Sequence, residues 1–179
     1  GSRRVADAKP DGYTFVLGTV GTHAQGQTLY KKPLYNSLTD FTPVALIADV
    51  PIALIARKDF PADNLKDFIA YSKANAGKMT FGSAGAGSAT HLGCVVANMV
   101  MGTDIVHVPY KGAPESLTGI MRSDSHMFFA GINIALDLIQ SGKVQALAVA
   151  APKRLATLPN VPTFAEAGMP EFEHDAWFG

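Results

Sequence analysis

Between residues 65 and 150, short apolar runs alternate with segments of helical period, and this alternation limits the fold more than any other feature. Residues 65–72 carry apolar side chains at 65, 68 and 69, the spacing of one helix face. Asp63 or Asn64 can cap that helix, and Gly77 stands where a left-handed stop is wanted. Strands are then expected at 79–81, 105–108, 127–129 and 144–150. Helices are expected at 92–101, 115–121 and 134–140, the last closed by Gly142. Thr163 and Glu166 have the spacing of a capping box opening a final short helix. A parallel strand is reached only through a crossover, usually a helix, so the pattern predicts an α/β fold with mostly parallel sheets. Three more apolar runs, 13–17, 44–48 and 52–56, precede it. The last two are apolar on both faces and read as buried strands of a parallel sheet. No helix separates them, which suits a crossover between two lobes.

Composition narrows the function. Fifteen Lys+Arg balance 15 Asp+Glu, so the net charge is zero. Such a chain lacks the long-range positive field of nucleic-acid binders and of proteins that bind anionic membranes. Apolar residues make up 47% and charged ones 17%, the reverse of a disordered composition. The single cysteine, Cys94, can form no intramolecular disulfide and reads as core. The longest apolar stretch, 44–56, is broken by Asp49 and Pro51 and is too short to span a membrane. No His-x-x-x-His or paired-Glu spacing calls for a metal, and nothing calls for a cofactor. Gly1-Ser2 reads as a cleavage scar, and the abrupt apolar end at Ala176-Trp177-Phe178-Gly179 reads as a cut, so the chain is expected to be a fragment.

The strongest candidate site is 82–91, a run of small residues between a strand and a helix. Small side chains let backbone N–H groups approach a ligand, and a helix start adds partial positive charge; together they suit a phosphate or carboxylate. Ser83, Ala84, Gly85, Gly87, Ser88, Thr90 and His91 are the residues assigned to it. The alternative is a plain tight turn. Nucleotide motifs fail, because Gly87 is followed by Ser88-Ala89 rather than Lys-Ser/Thr, and no third glycine completes a dinucleotide loop. The Gly-x-Ser-x-Gly elbow fails as well, since Phe81 precedes Ser83 and Ala86 precedes Ser88. His91 is expected to cap or line the loop, and His107 to be a satisfied, half-buried strand residue. A second candidate, Thr19, Gly21, Thr22 and His23, follows the run at 13–17. Lys111 could bring a positive charge, although a solvated lysine is the default.

These segments together resemble one family. They are Pro10-Asp11-Gly12-Tyr13-Thr14, Gly21-Thr22-His23-Ala24, Asp40-Phe41-Thr42-Pro43-Val44, Gly77-Lys78-Met79-Thr80-Phe81-Gly82-Ser83-Ala84-Gly85, His107-Val108-Pro109-Tyr110-Lys111-Gly112 and Leu158-Pro159-Asn160-Val161-Pro162-Thr163. In that order they look like the periplasmic solute-binding subunit of tripartite tricarboxylate transporters, the Bug family. The resemblance implies a two-lobed, Venus-flytrap α/β fold, one lobe nearly complete and the other partial. It implies a first lobe with crossover over 3–57, a second lobe over 58–151 and a return segment over 152–179. It implies capture of a small carboxylate between lobes, delivery to two membrane subunits, a periplasmic location and no enzymatic role. Many members carry an acid just after the strand matched by 127–128; Phe129 stands there, so the expected ligand is a dicarboxylate or aromatic carboxylate. Residues 122–126 replace a turn that usually contains glycine. A partial lobe should expose apolar surface and self-associate through it. The competing readings are a ligand-sensing partner of a membrane sensor kinase and an esterase using Ser88 with His91.

Overall fold

The computed structural model describes residues 1–172, 174 and 176–179. It divides into two compact units, one of Gly1–Asp49 with Ala176–Gly179 and one of Val50–Asp175.

The second unit is built on a five-stranded sheet. Its strands are β2 (Ile52–Arg57), β3 (Thr80–Ser83), β4 (Val106–Pro109), β5 (Met127–Gly131) and β6 (Val144–Ala150), in the order β4-β3-β5-β2-β6. β3 is parallel to β4 and β5, whereas β2 is antiparallel to β5 and β6. Four strands therefore share one direction, and the alternation reads correctly as a mostly parallel α/β sheet. The direction expected for 52–56 is corrected: β2 is a central strand, but it runs against its neighbours. Burial on both faces makes a central strand apolar whichever way it runs, so composition does not encode direction.

The helices are α3 (Leu65–Ala74), α4 (Ala89–Met101), α5 (Ala113–Met121) and α6 (Ile132–Gln140). The Asn64 side chain caps α3, and Gly77 and Gly142 take the positive φ expected of stops. Phe128 packs with Leu117 and Ile120 of α5 and Ala135 of α6 in a fully buried cluster. Phe129, pointing the other way from β5, stacks on Phe164 and Phe172. Cys94 of α4 bonds the Phe129 backbone, and burial pushes its thiol far above the ordinary range. Thus α5 and α6 cover one face and α4 the other. The Thr163–Glu166 capping box forms in both directions, at 2.9 and 3.1 Å, but it closes a series of turns rather than the expected helix.

The first unit holds α1 (Ser2–Ala6), a π-helical turn (Val20–Gln25), α2 (Gly26–Leu29) and a two-stranded ribbon of β1 (Ala48–Asp49) with β7 (Trp177–Phe178). Two sequence expectations are corrected here. Residues 13–17 form no strand, and of 44–48 only Ala48 enters one. A strand exists through its partners; the described residues supply none for 13–17 and partner 44–48 only at its end, where Ile47 N–H donates to the Phe178 carbonyl and Ala48 registers with Phe178. Tyr13, Phe15 and Leu17 are 88%, 67% and 61% exposed, and Val44, Leu46 and Ile47 are exposed too. Phe15 and Leu17, with residues of 37–47 and Trp177, line an open trough of about 1310 Å³.

Candidate ligand-binding site

The connections of β3 and β4 place the site. From β3 the chain enters α4 on one face of the sheet; from the adjacent β4 it enters α5 on the opposite face. Adjacent strands whose helices diverge to opposite faces leave a crevice outside their carboxyl ends, where open α/β sheets bind ligands. Residues 84–88 and 110–112 border it. Tyr110 N–H donates to the Ser83 carbonyl at 3.1 Å, tying the two connections together.

The loop 82–91 is stiffened by its own side chains. Ser83 is fully buried, and its hydroxyl accepts from Gly85 N–H at 3.1 Å while sharing a 2.6 Å hydrogen bond with His107 Nε2. Thr90 Oγ1 accepts from Ala84 N–H at 2.9 Å. Ser88, the N-cap of α4, accepts from His91 N–H and donates to the Gly85 carbonyl. His91 Nδ1 accepts from Gly87 N–H at 3.2 Å. Gly85 and Gly87 sit at φ +120° and +77°, a region any β-carbon would strain. Gly82 has no room for one, because Ser116 and Tyr110 press against it from the α5 side.

This network changes which amides face a ligand. Those of Ala84, Gly85, Gly87 and Ser88 are already engaged within the loop. Ala86, Ala89 and Thr90 have no hydrogen-bond partner for their N–H groups among the described residues. Ala89 and Thr90 open α4, a 13-residue helix whose dipole places partial positive charge at that end. The loop contains no cationic side chain, so its attraction for an anion is short-ranged, as zero net charge requires. Lys111 is exposed.

The two histidines behave as the sequence suggested. His107, partnered by Ser83, is half-buried, and His91 lines the loop. Their rings lie 4.1 Å apart, with Phe81 stacked on His107 at 4.9 Å. Burial holds both below the ordinary imidazole range, and for His107 the nearby His91 adds to the depression. Ser88 and His91 do not pair through their side chains, because the Ser88 hydroxyl is engaged by the Gly85 carbonyl, the His91 N–H and Thr90 Oγ1, and the His91 acceptor is occupied by Gly87. His107 and the amides of Ala86 and Ala89 were missed as site elements. His107 reaches the loop only because β4 registers it beside Phe81, a pairing that spacing along the chain does not reveal.

The second candidate group lies in the first unit. Thr19 and Thr22 form a reciprocal cap, Thr22 N–H to Thr19 Oγ1 and Thr19 N–H to Thr22 Oγ1. Thr22 Oγ1 is 2.8 Å from His23 Nδ1, and the His23 ring packs on Phe41 and Tyr35. Gly21 lies in the π-helical turn itself. Phe129 lies in the second unit. It is fully buried in β5, and its aromatic packing accounts for its apolar character without reference to a ligand.

The family model described as "Tripartite tricarboxylate transporter family receptor" matches residues 1–179. The chain belongs to that family. It is 37% identical to the periplasmic binding protein BugD, with a TM-score of 0.92 over 100% of this chain and 60% of that one. MatC from Rhodopseudomonas palustris, solved with bound malate, is 36% identical with a TM-score of 0.91, covering 99% and 60%. A second R. palustris protein, Rpa4515 with adipate, is 35% identical with a TM-score of 0.92, covering 99% and 59%. The fold is thus that of periplasmic solute-binding proteins. The chain spans about half the length of the curated relatives it matches.

Proposed function

We propose that this chain is part of a periplasmic receptor that captures a small dicarboxylate or aromatic carboxylate for a tripartite tricarboxylate transporter, handing it to two membrane subunits. The observation that carries the reading is the loop 82–91, whose unpartnered amides at Ala86, Ala89 and Thr90 open a long helix at the sheet's switch point. Two family neighbours hold malate and adipate, both dicarboxylates, which supports the ligand class. Ser83, Ala84, Gly85, Gly87, Ser88, Thr90 and His91 shape the loop around the ligand. Following the family resemblance, Thr19, Gly21, Thr22 and His23 also contact it. The periplasmic location follows the family, and no helix among the described residues is long and apolar enough to cross a membrane. The exposed apolar runs of the first unit drive self-association of this chain on its own.

A thermal-shift series with malate, adipate and benzoate tests the ligand class. A ligand that binds only the folded state raises the midpoint by mass action, about 2.7 kcal/mol of stabilisation at a hundredfold excess over Kd. Dose-dependent rises with at least one of the three are expected. Flat midpoints with all three overturn the reading.

A further inference from the structure

We propose that His91, braced by His107, is the positioning residue of the ligand loop and holds the loop's capture geometry only while its imidazole is neutral. This rests on the carboxylate reading of residues 82–91.

A backbone N–H can only donate. Gly87 N–H is directed at His91 Nδ1, so that nitrogen must carry a bare lone pair, and the ring proton resides on Nε2. Gly87 sits at positive φ, and its amide orientation sets the peptide that leads into α4. The neighbouring imidazole acts on the other half of the loop: His107 Nε2 meets Ser83 Oγ, which receives Gly85 N–H. Gly85 and Gly87 are therefore both anchored, directly or through one hydroxyl, on two rings 4.1 Å apart. Two charges at that spacing repel, so the pair resists double protonation. Protonating His91 at Nδ1 turns an acceptor into a donor facing a donor. The Gly87 amide is then expelled, and the orientation of the free amides at Ala86, Ala89 and Thr90 is lost with it.

The surroundings leave the control with this pair. β3 and residues 84–88 contribute no ionisable side chain; α4 contributes His91 and the buried Cys94 thiol, which burial keeps protonated, and β4 contributes only His107. Tyr110 lies on the opposite face of the sheet against Gly82 and Gly119, and Glu115 of α5 is engaged there by Lys111 N–H. His174 meets Gly93 of α4, with Glu171 in the same segment; Glu173 and Asp175 lie outside the described residues.

The test is amide hydrogen exchange across the full chain at pH 7.5 and 5.0, beside calorimetric titration with adipate. His91→Asn places a carboxamide oxygen near the position of Nδ1 and does not titrate; His91→Phe keeps a ring and removes the acceptor. In the unsubstituted chain, Gly87 protection, corrected for intrinsic exchange, should fall about tenfold or more on acidification, the response to a one-unit pKa difference. His91→Asn should restore protection that no longer depends on pH, and His91→Phe should show none at either pH. The loss of adipate affinity on acidification should exceed that of His91→Asn by about tenfold, a ratio in which the ligand's own protonation cancels. Equal pH profiles in the unsubstituted chain and in His91→Asn overturn the proposal. If His91→Asn fails to fold, as read by circular dichroism, the ring-nitrogen chemical shifts of His91 in the unsubstituted chain replace it: a titration midpoint that coincides with the loss of Gly87 protection supports the proposal, and loss of protection while His91 stays neutral overturns it. No binding heat with adipate at either pH, with Gly87 exchange following the expected pattern, supports the positioning role and overturns the carboxylate reading instead.

Discussion

The two units use similar apolar runs to opposite effect. In the second, 52–56 lies between two partner strands and is almost wholly buried; in the first, 13–17 pairs with nothing and stands exposed. The candidate loops differ in the same way. Residues 82–91 leave a paired strand and enter a 13-residue helix, with four amides held by hydroxyls, a carbonyl and an imidazole. Residues 19–24 follow a segment paired only at Gly18 and Thr19, through Gly179 and Phe178, and enter a six-residue π-helical turn. A loop between a strand and a helix is held in one geometry only when both flanking elements are fixed by neighbours.

The largest expected effect concerns the cores. Phe128→Ala, at a fully buried site, should destabilise the second unit by about 3–5 kcal/mol, whereas Phe15→Ala, exposed in the first, should change stability by under about 0.5 kcal/mol. Urea unfolding followed by tryptophan fluorescence and circular dichroism reads both. Comparable losses at the two positions would break the contrast between the units.

A smaller effect separates the loops. Thr90→Val deletes the oxygen that accepts Ala84 N–H and should weaken adipate binding about five- to tenfold, as loss of a roughly 1 kcal/mol hydrogen bond implies. Thr22→Val removes a contact within an already exposed cap and should weaken it less. The reverse order, measured by calorimetry, would move the cradle to the first unit.

Acidification sharpens the comparison further. His23, His91, His107 and His126 are all depressed by burial, and three of the four lie in the second unit. At His126 burial is the largest cause, the Arg57 guanidinium adds to the depression and Asp59 opposes it. A histidine depressed in the fold binds fewer protons there than in the unfolded chain. The stability it contributes is complete above about pH 6.5 and is lost as pH falls through the folded value. The melting temperature should therefore drop between pH 7 and 5, and less so in His126→Asn. A rise on acidification would contradict the assignment.

The smallest effect is at Ser123. Among the described residues it alone, apart from glycines, takes a positive φ, +64°. Ser123→Gly should relieve that strain and stabilise the second unit by up to about 1 kcal/mol, measured as a shift in urea midpoint.

Most of the second unit was legible from the sequence because its elements are locally encoded. Asn64 caps where expected, Gly77 and Gly142 take the positive φ expected after helices, and the apolar runs mark the strands of the sheet. Three things were not legible, each because it depends on distant partners. The direction of β2 depends on which strands flank it. The fate of 13–17 and 44–48 depends on which strands lie beside them, and only Ala48 finds one, in Phe178. The hold of His107 on the loop depends on a parallel register between 81 and 107. The small residues of 82–91 pointed to close backbone approach, but they did not reveal that the Gly85 and Gly87 amides are occupied while those of Ala89 and Thr90 have no partner among the described residues.

The central claim is that α4 and its loop hold a carboxylate, and backbone amide chemical shifts during an adipate titration test it most directly. Saturable shifts largest at Ala86, Ala89 and Thr90 are predicted. Saturable binding that leaves residues 82–91 unperturbed would contradict the account.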